Sequence, residues 1–127
     1  PRRAPPWTEL WSHESARDRL RDIMRMPNFC GAAEYHEGRL VGLLMGHGEQ
    51  SYDGMHFQIL ELCVANDMKG HGIGGRMLNE FLDYLDRKGV TSVYLLTMRG
   101  AASEDFYAAQ GFSTVEDMCV MSRRSAQ

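Results

Sequence analysis

The sequence predicts an α+β fold in which helices flank a mixed sheet of about five strands. Three observations support this fold class. Two long segments repeat apolar residues every three to four positions, as amphipathic helices do, and five shorter apolar runs have the length and composition of strands. The order along the chain is helix, three strands, helix, strand, short helix, strand. The length of 127 residues suits one domain, and no linker divides it.

The first half of the chain is predicted to form one helix and three strands. Ser12 is placed to cap the helix, and Pro27 ends it. A short glycine-containing loop at residues 36–39 joins the first two strands into a β-hairpin, and the polar residues 48–54 close it. The helix is expected at residues 12–26, and the strands at 29–35, 40–47 and 57–65.

The second half begins with a glycine-rich loop at residues 66–72 and a long helix that Gly89 ends. The apolar stripe of this helix consists of Met77, Leu78, Phe81, Leu82 and Leu85. A buried strand is expected next, because its residues show no polar alternation. The predicted elements are helices at 73–88 and 103–110, and strands at 90–97 and 112–121.

Charge and hydropathy exclude several classes of function. With 14 Lys and Arg against 17 Asp and Glu, the net charge of -3 lacks the basic excess of a nucleic-acid binder. No apolar run reaches the roughly 18 residues of a membrane span, and the opening PRRAPPW has no signal-peptide apolar region. We therefore expect a cytoplasmic protein without nucleic-acid or membrane partners.

Cysteine and histidine spacing argues against metal and disulfide chemistry. Cys30, Cys63 and Cys119 lie far apart in apolar contexts, which is typical of unpaired buried thiols in a reducing compartment. The five histidines form no HxxxH pattern, and the chain has no CxxC pattern. We predict no metal site.

The loop before the second long helix reads KGHGIGG from Lys69 to Gly75. A P-loop is excluded, because no Lys followed by Ser or Thr occurs here. The spacing GxGxxG matches the dinucleotide-binding pattern. That interpretation is disfavoured, because four residues separate the glycines from the strand and the next strand ends without an acid. Two interpretations stay open for the loop alone: an anion-binding nest at a helix N-terminus, and a flexible helix-entry loop.

The surrounding residues favour the first interpretation. The loop follows a strand that ends Leu60-Glu61-Leu62-Cys63-Val64 and precedes a helix, a strand and the segment Phe106-Tyr107-Ala108-Ala109-Gln110-Gly111-Phe112. This arrangement resembles the GCN5-related N-acetyltransferase (GNAT) superfamily over residues 31–121. The family pattern is Gln or Arg, two residues, Gly, one residue, and Gly or Ala. This chain has Lys69 in the first place.

The resemblance implies a single N-acetyltransferase domain over residues 1–127, with a mostly antiparallel central sheet and one splayed pair of parallel strands. Family members usually open with a strand before the first helix, whereas this chain starts with PRRAPPW, so we expect the sheet to be one strand short. A homodimer is a further expectation from the resemblance.

The resemblance also implies acetyl-coenzyme A as co-substrate, and no metal. Its pantetheine arm would pair like an extra strand with the backbone of Leu62, Cys63 and Val64. Many members contact the cofactor through an Asn seven residues before the Tyr, where this chain has Gly100. That contact is therefore either lost or moved, and Ser103, together with Phe106, is the candidate for it. The pyrophosphate would lie on Lys69, Gly70, His71, Gly72, Ile73, Gly74 and Gly75.

Two residues are the candidate catalytic groups. Resemblance assigns to Tyr107 the protonation of the departing thiolate. Glu61 is an ionisable residue in an apolar strand, and alternation places it on the face opposite Leu60, Leu62 and Val64, where it could act as the base directly or through water. A structural ion pair and a substrate-orienting carboxylate remain alternatives for Glu61, and Gln58 occupies another position where family members place an acid.

The acceptor is predicted from charge. Residues 29–68 carry six acidic residues against Arg39 alone, a net charge of -5 that would attract a cationic amine such as an aminoglycoside, a polyamine or a lysine side chain. Ordinary solvated surface is the equal alternative. The segment Ala4-Pro5-Pro6-Trp7, followed by Trp11, resembles the aminoglycoside 6'-type branch, in which Trp7 and Trp11 would line the acceptor pocket or pack under the helix.

The predicted function is therefore direct transfer of an acetyl group from acetyl-coenzyme A to a small primary amine. A protein lysine or N-terminal acetyltransferase is the alternative within the same class. A coenzyme A-binding sensor module without turnover is the alternative from a different class.

Overall fold

A computed structural model describes residues 13–126 of the chain. The chain divides into two compact units, Pro1–Leu96 and Thr97–Gln127. A 3-10 turn at Asn66–Met68 lies between the third strand and the second helix. The elements are α1 (His13–Met24), β1 (Phe29–His36), β2 (Arg39–Ser51), β3 (Gly54–Val64), α2 (Ile73–Arg87), β4 (Val90–Tyr94) and α3 (Ala102–Ala109).

The first unit is built on a four-stranded sheet in the order β1-β2-β3-β4. The pairs β1–β2 and β2–β3 are antiparallel, and β3–β4 is parallel. The parallel pair is joined by α2, as a crossover connection requires. The predicted mixed α+β fold is thereby confirmed.

A β-bulge in β3 decides which side chains share a face of the sheet. Met45 pairs with Glu61 and Gly46 pairs with Ile59, so Leu60 has no partner on β2. The alternation of β3 side chains between the two faces of the sheet is therefore interrupted at Leu60. Glu61 lies on the face of Met45, whereas Ile59 lies on the opposite face with Gly46.

Helix α2 covers one face of the sheet, here called the α2 face. Phe57 on β3 meets Phe81 on α2 edge to face, with ring centroids 5.4 Å apart. At Gly42 on β2 the helix comes so close that an added Cβ would lie 2.5 Å from the Met77 sulfur. The predicted stripe of α2 is buried except for Leu82, which is half-buried.

Helix α1 lies against the other face, here called the α1 face. Its Ile23 is 2% exposed, and Arg19 bonds to Glu61, which shares this face with Met45. The predicted helix at residues 12–26 is confirmed from His13 to Met24, while the predicted cap at Ser12 lies outside the described residues.

The strands differ from the prediction in length. The polar residues expected to form a loop after the hairpin instead extend β2 to Ser51, and β3 starts at Gly54. Residues 48–51 pair with residues 54–57 of β3, so a strand ladder rather than a loop satisfies their backbone groups. β4 ends at Tyr94, three residues earlier than expected.

The predicted strand at residues 112–121 is wrong, and within residues 13–126 the sheet has four strands rather than five. The Met118 N–H donates to the Val115 carbonyl at 3.4 Å, so a turn interrupts the apolar run. Residues 113–126 are exposed, including Val115, Met118 and Val120 at 54%, 73% and 74%. Apolar composition alone does not make a strand, because a strand also needs a partner for its backbone groups.

Candidate active site

The two parallel strands separate within the first unit. Their register ends at the pair Gln58 and Tyr94, whereas β3 continues to Val64. Beyond Gln58, no strand among residues 13–126 pairs with this edge of β3. This is the splayed parallel pair that the sequence resemblance implies. The exposed edge can accept an extended chain as an added strand.

The glycine loop leads from this strand into α2. Gly70 and Gly72 have φ angles of +86° and +77°, a left-handed conformation that glycine adopts without a steric penalty. Gly72 is the N-cap residue of α2, and no side-chain hydrogen bond caps the helix there. A Cβ added at Gly70 or Gly72 would meet no atom within 4 Å, so both positions face open space.

The start of α2 is suited to binding an anion. The first N–H groups of an α-helix have no acceptor within the helix, and the macrodipole favours an anion beside them. Ile73 anchors this start, because it is 8% exposed, while Lys69, Gly70, His71 and Gly72 are exposed. Gly74 and Gly75 form the rest of the first turn, which contains no acidic residue to repel an anion.

Two ion pairs that the sequence did not predict brace this loop on either side. Arg39 on β2 donates to both carboxylate oxygens of Asp67 at 3.4 and 2.9 Å. Arg76 on α2 does the same to Glu34 on β1 at 3.3 and 2.9 Å. The Arg76 hydrogen bond lowers the pKa of the Glu34 carboxyl, and the same bond raises the pKa of Arg76. The partners of these two ion pairs lie 28 and 42 residues apart in sequence, so no local sequence pattern predicts them.

The thiol of Cys63 is a packing group. It is 8% exposed, and its sulfur lies 3.9 Å from the Leu43 carbonyl oxygen. Burial, reinforced by the nearby Glu61 charge and opposed by Lys69, raises its pKa to about 12. At neutral pH the thiol is therefore protonated and a poor nucleophile. All three cysteines are unpaired, but only Cys63 is buried as expected, whereas Cys30 is half-buried and Cys119 is exposed.

Glu61 is held by an ion pair on the α1 face. Arg19 Nε donates to Glu61 Oε2 at 2.5 Å, and Arg19 Nη2 donates to the Leu60 carbonyl at 3.4 Å. The Glu61 side chain is 17% exposed, and its partner is 35% exposed. The structure thus places Glu61 opposite Leu62 and Val64, as expected, and gives it the ion pair that the sequence left as one alternative.

The second unit contains the other candidate groups. Tyr107 on α3 meets the rings of Phe106 and Phe112 edge to face, with centroids 5.1 and 5.4 Å away. The Phe112 N–H donates to the Tyr107 carbonyl at 3.0 Å, which closes the end of the helix. The two neighbouring rings fix the orientation of the Tyr107 ring within this unit.

Ser103 and Gly100 lie at the start of the same helix. The hydroxyl of Ser103 is 2.5 Å from that of Thr97. The Gly100 N–H donates to the Glu104 carboxylate at 2.6 Å. The site that the resemblance reserves for an Asn is therefore a turn whose backbone is held by Glu104.

Trp7 and Trp11, the predicted acceptor-pocket residues, lie outside the described part of the chain. Within residues 13–126, no three His, Cys, Asp or Glu side chains are grouped so that they could hold a metal ion. None of the described helices is both long enough and apolar enough to cross a membrane.

Comparison with known proteins identifies the family. A model described as the acetyltransferase (GNAT) family matches residues 2–112. A search of curated proteins gives no significant match.

Solved structures share the fold at low sequence identity. An aminoglycoside acetyltransferase from an uncultured soil metagenomic sample, in complex with sisomicin, matches with a TM-score of 0.73 and 17% identity over 95% of this chain and 84% of its own. The AAC(6')-Iy enzyme in complex with a CoA bisubstrate analogue matches with a TM-score of 0.72 and 13% identity over 94% and 87%. An acetyltransferase from Trypanosoma brucei matches with a TM-score of 0.67 and 21% identity over 84% and 77%.

Proposed function

The chain belongs to the acetyltransferase (GNAT) family, and on this premise we propose that it transfers the acetyl group of acetyl-coenzyme A directly to a primary amine of a small cationic molecule. The observation that carries the proposal is the open edge of β3 beyond Gln58, followed by a helix that starts with a glycine nest. An extended pantetheine arm and a pyrophosphate are the chemical groups that these two features suit.

The chain's own residues have distinct roles in this proposal. The backbone of Leu62, Cys63 and Val64 pairs with the pantetheine arm. One N–H group of this backbone can polarise the thioester carbonyl of acetyl-coenzyme A. The bound co-substrate supplies an activated thioester. The N–H groups of Gly74 and Gly75, with the Lys69 ammonium, hold the pyrophosphate.

Proton transfer is assigned to two side chains. Glu61 is the candidate acceptor of the amine proton, directly or through a water molecule, and Arg19 holds its carboxylate in one orientation. Tyr107 is the candidate donor to the departing sulfur, a role carried over from the family resemblance. Ser103 and Phe106 are proposed as further cofactor contacts on the same ground.

A cytoplasmic location and a homodimer are further parts of the proposal. The three unpaired cysteines suit the cytoplasm, because disulfides are rare in that reducing compartment. A homodimer stays a prediction of the resemblance.

An amine panel tests the proposed function. The full chain is mixed with acetyl-coenzyme A and, in turn, polyamines, aminoglycosides, amino acids and lysine peptides, while a thiol reagent detects released coenzyme A. We expect release with small cationic amines above the rate without amine. Release with peptides alone would make the protein a peptide acetyltransferase. Tight coenzyme A binding beside a silent panel would make it a non-catalytic module.

A further inference from the structure

Polar side chains form two adjacent rows across the α1 face of the sheet. Residues directly opposite each other on neighbouring strands share a face. The register of β2, β3 and β4 therefore aligns His47 with Gln58 and Tyr94 in one row, and Glu49 with His56 and Ser92 in the next. We call these six residues the polar rows.

Two side chains of the polar rows, Tyr94 and His47, contact Glu49. Tyr94 Oη donates to Glu49 Oε1 at 2.7 Å, so a residue of β4 orients a carboxylate of β2. His47 Nε2 lies 3.5 Å from Glu49 Oε2. His56 is paired with Asp53 through a contact of 2.7 Å. The Glu49 side chain is still 42% exposed, so its oxygens can accept further hydrogen bonds from solvent or a ligand.

Tyr94 orients Glu49 without neutralising it. Burial, together with the hydrogen bond and the charge of Glu49, raises the pKa of the Tyr94 phenol to about 12. The phenol therefore stays a neutral hydrogen-bond donor at neutral pH. A carboxylate held by a neutral donor and open to solvent suits a cationic partner.

The polar rows also lie where the parallel strands separate. Gln58 and Tyr94 are the last paired residues of β3 and β4, and the open edge begins directly after them. In the proposed function, that edge receives the pantetheine arm. The polar rows thus lie beside the position where an acceptor must approach.

We propose that Glu49, oriented by Tyr94, binds an ammonium group of the acceptor other than the one that is acetylated. A carboxylate stabilises the protonated form of an amine, whereas the reacting amine must be neutral. Glu49 is therefore suited to a charge that persists through the reaction. The acceptor class is an amine with a second cationic group, and this assignment rests on the proposed function.

Direct binding tests the inference without turnover. The full chain is titrated calorimetrically with 1,4-diaminobutane, with butylamine as the singly charged probe, and separately with coenzyme A. Glu49→Gln removes the charge at nearly constant shape, and Tyr94→Phe removes the orienting hydroxyl. Asp83→Asn is the matched control, because Asp83 is exposed on α2, away from the α1 face. Thermal melting verifies that each variant is folded.

We expect Glu49→Gln to weaken diamine binding about tenfold while butylamine binding changes less than about twofold. Tyr94→Phe should weaken diamine binding about threefold, and Asp83→Asn should leave it unchanged. Equal diamine affinity in wild type and Glu49→Gln, or no diamine binding by the wild type, overturns the inference. Absence of coenzyme A binding would instead overturn the proposed function, so the two failures are distinct.

Discussion

Arg19 and Glu61 join helix α1 to strand β3 through an ion pair of 2.5 Å that is largely shielded from water on the Glu61 side. Glu61 sits directly after the bulge residue Leu60, whose carbonyl accepts a second hydrogen bond from the same guanidinium. One arginine therefore holds both a candidate catalytic carboxylate and the bulge that turns it toward α1.

The first prediction concerns this ion pair. Arg19→Met should lower the free energy of unfolding by about 2 kcal/mol, because it leaves the Glu61 carboxylate in a half-buried position without its cation. The double variant Arg19→Met/Glu61→Gln should recover part of that loss, since the uncompensated charge is gone. Urea unfolding of the four proteins of this double-mutant cycle gives the coupling energy. Additive losses would mean that the two side chains do not stabilise each other.

The second prediction separates backbone strain from anion binding in the glycine loop. Gly72 and Gly38 have nearly equal φ angles of +77° and +79°, and a Cβ at either meets no atom within 4 Å. Alanine at either position should therefore cost the same stability, about 1 kcal/mol. Only Gly72→Ala should weaken coenzyme A binding, by about tenfold, because it alters the start of α2. Calorimetry with Gly38→Ala as control checks this, and equal affinity of the two variants contradicts the pyrophosphate assignment.

The third prediction concerns thiol reactivity. Because burial raises the pKa of Cys63 to about 12, almost none of its thiolate exists at pH 8. Iodoacetamide should therefore alkylate Cys119, which is exposed, much faster than Cys63 in the folded protein. Peptide mass spectrometry measures both rates, and unfolding in urea should make them similar. Rapid alkylation of native Cys63 would contradict its role as a packing group.

The fold could be predicted largely where the signal is local. The stripe of α2 and its glycine start follow from periodicity and from residue types close in sequence, and both are present. The segment 112–121 contains apolar residues that predict a strand, yet it forms none. A strand needs a partner strand, and local sequence does not reveal whether one is present. Tertiary pairs such as Arg19 with Glu61 lie beyond any local pattern, because their members come from different elements.

The fourth prediction concerns the pH dependence of stability. The hydrogen bond from Arg76 lowers the pKa of Glu34 in the folded protein below its ordinary value of 4.5. A carboxyl with a lowered folded-state pKa stabilises the fold above its ordinary value, and this contribution disappears as the pH falls through the folded-state pKa. Wild type should therefore be more stable than Glu34→Gln at pH 7, and the difference should shrink below about pH 4.5. Thermal melts from pH 7 to 3 measure this, and a constant difference would exclude the ion pair as its source.

The fifth prediction tests Tyr107 and rests on the proposed function. Tyr107→Phe keeps the ring contacts with Phe106 and Phe112 but removes the only group on this side chain that can donate a proton. We expect kcat to fall about 100-fold, while the KM for acetyl-coenzyme A changes less than about twofold. Tyr52→Phe is the control, because Tyr52 is 98% exposed in the turn between β2 and β3 and should keep wild-type kinetics. Unchanged kcat in Tyr107→Phe would remove Tyr107 from the mechanism, since no other property of the side chain differs between the two proteins.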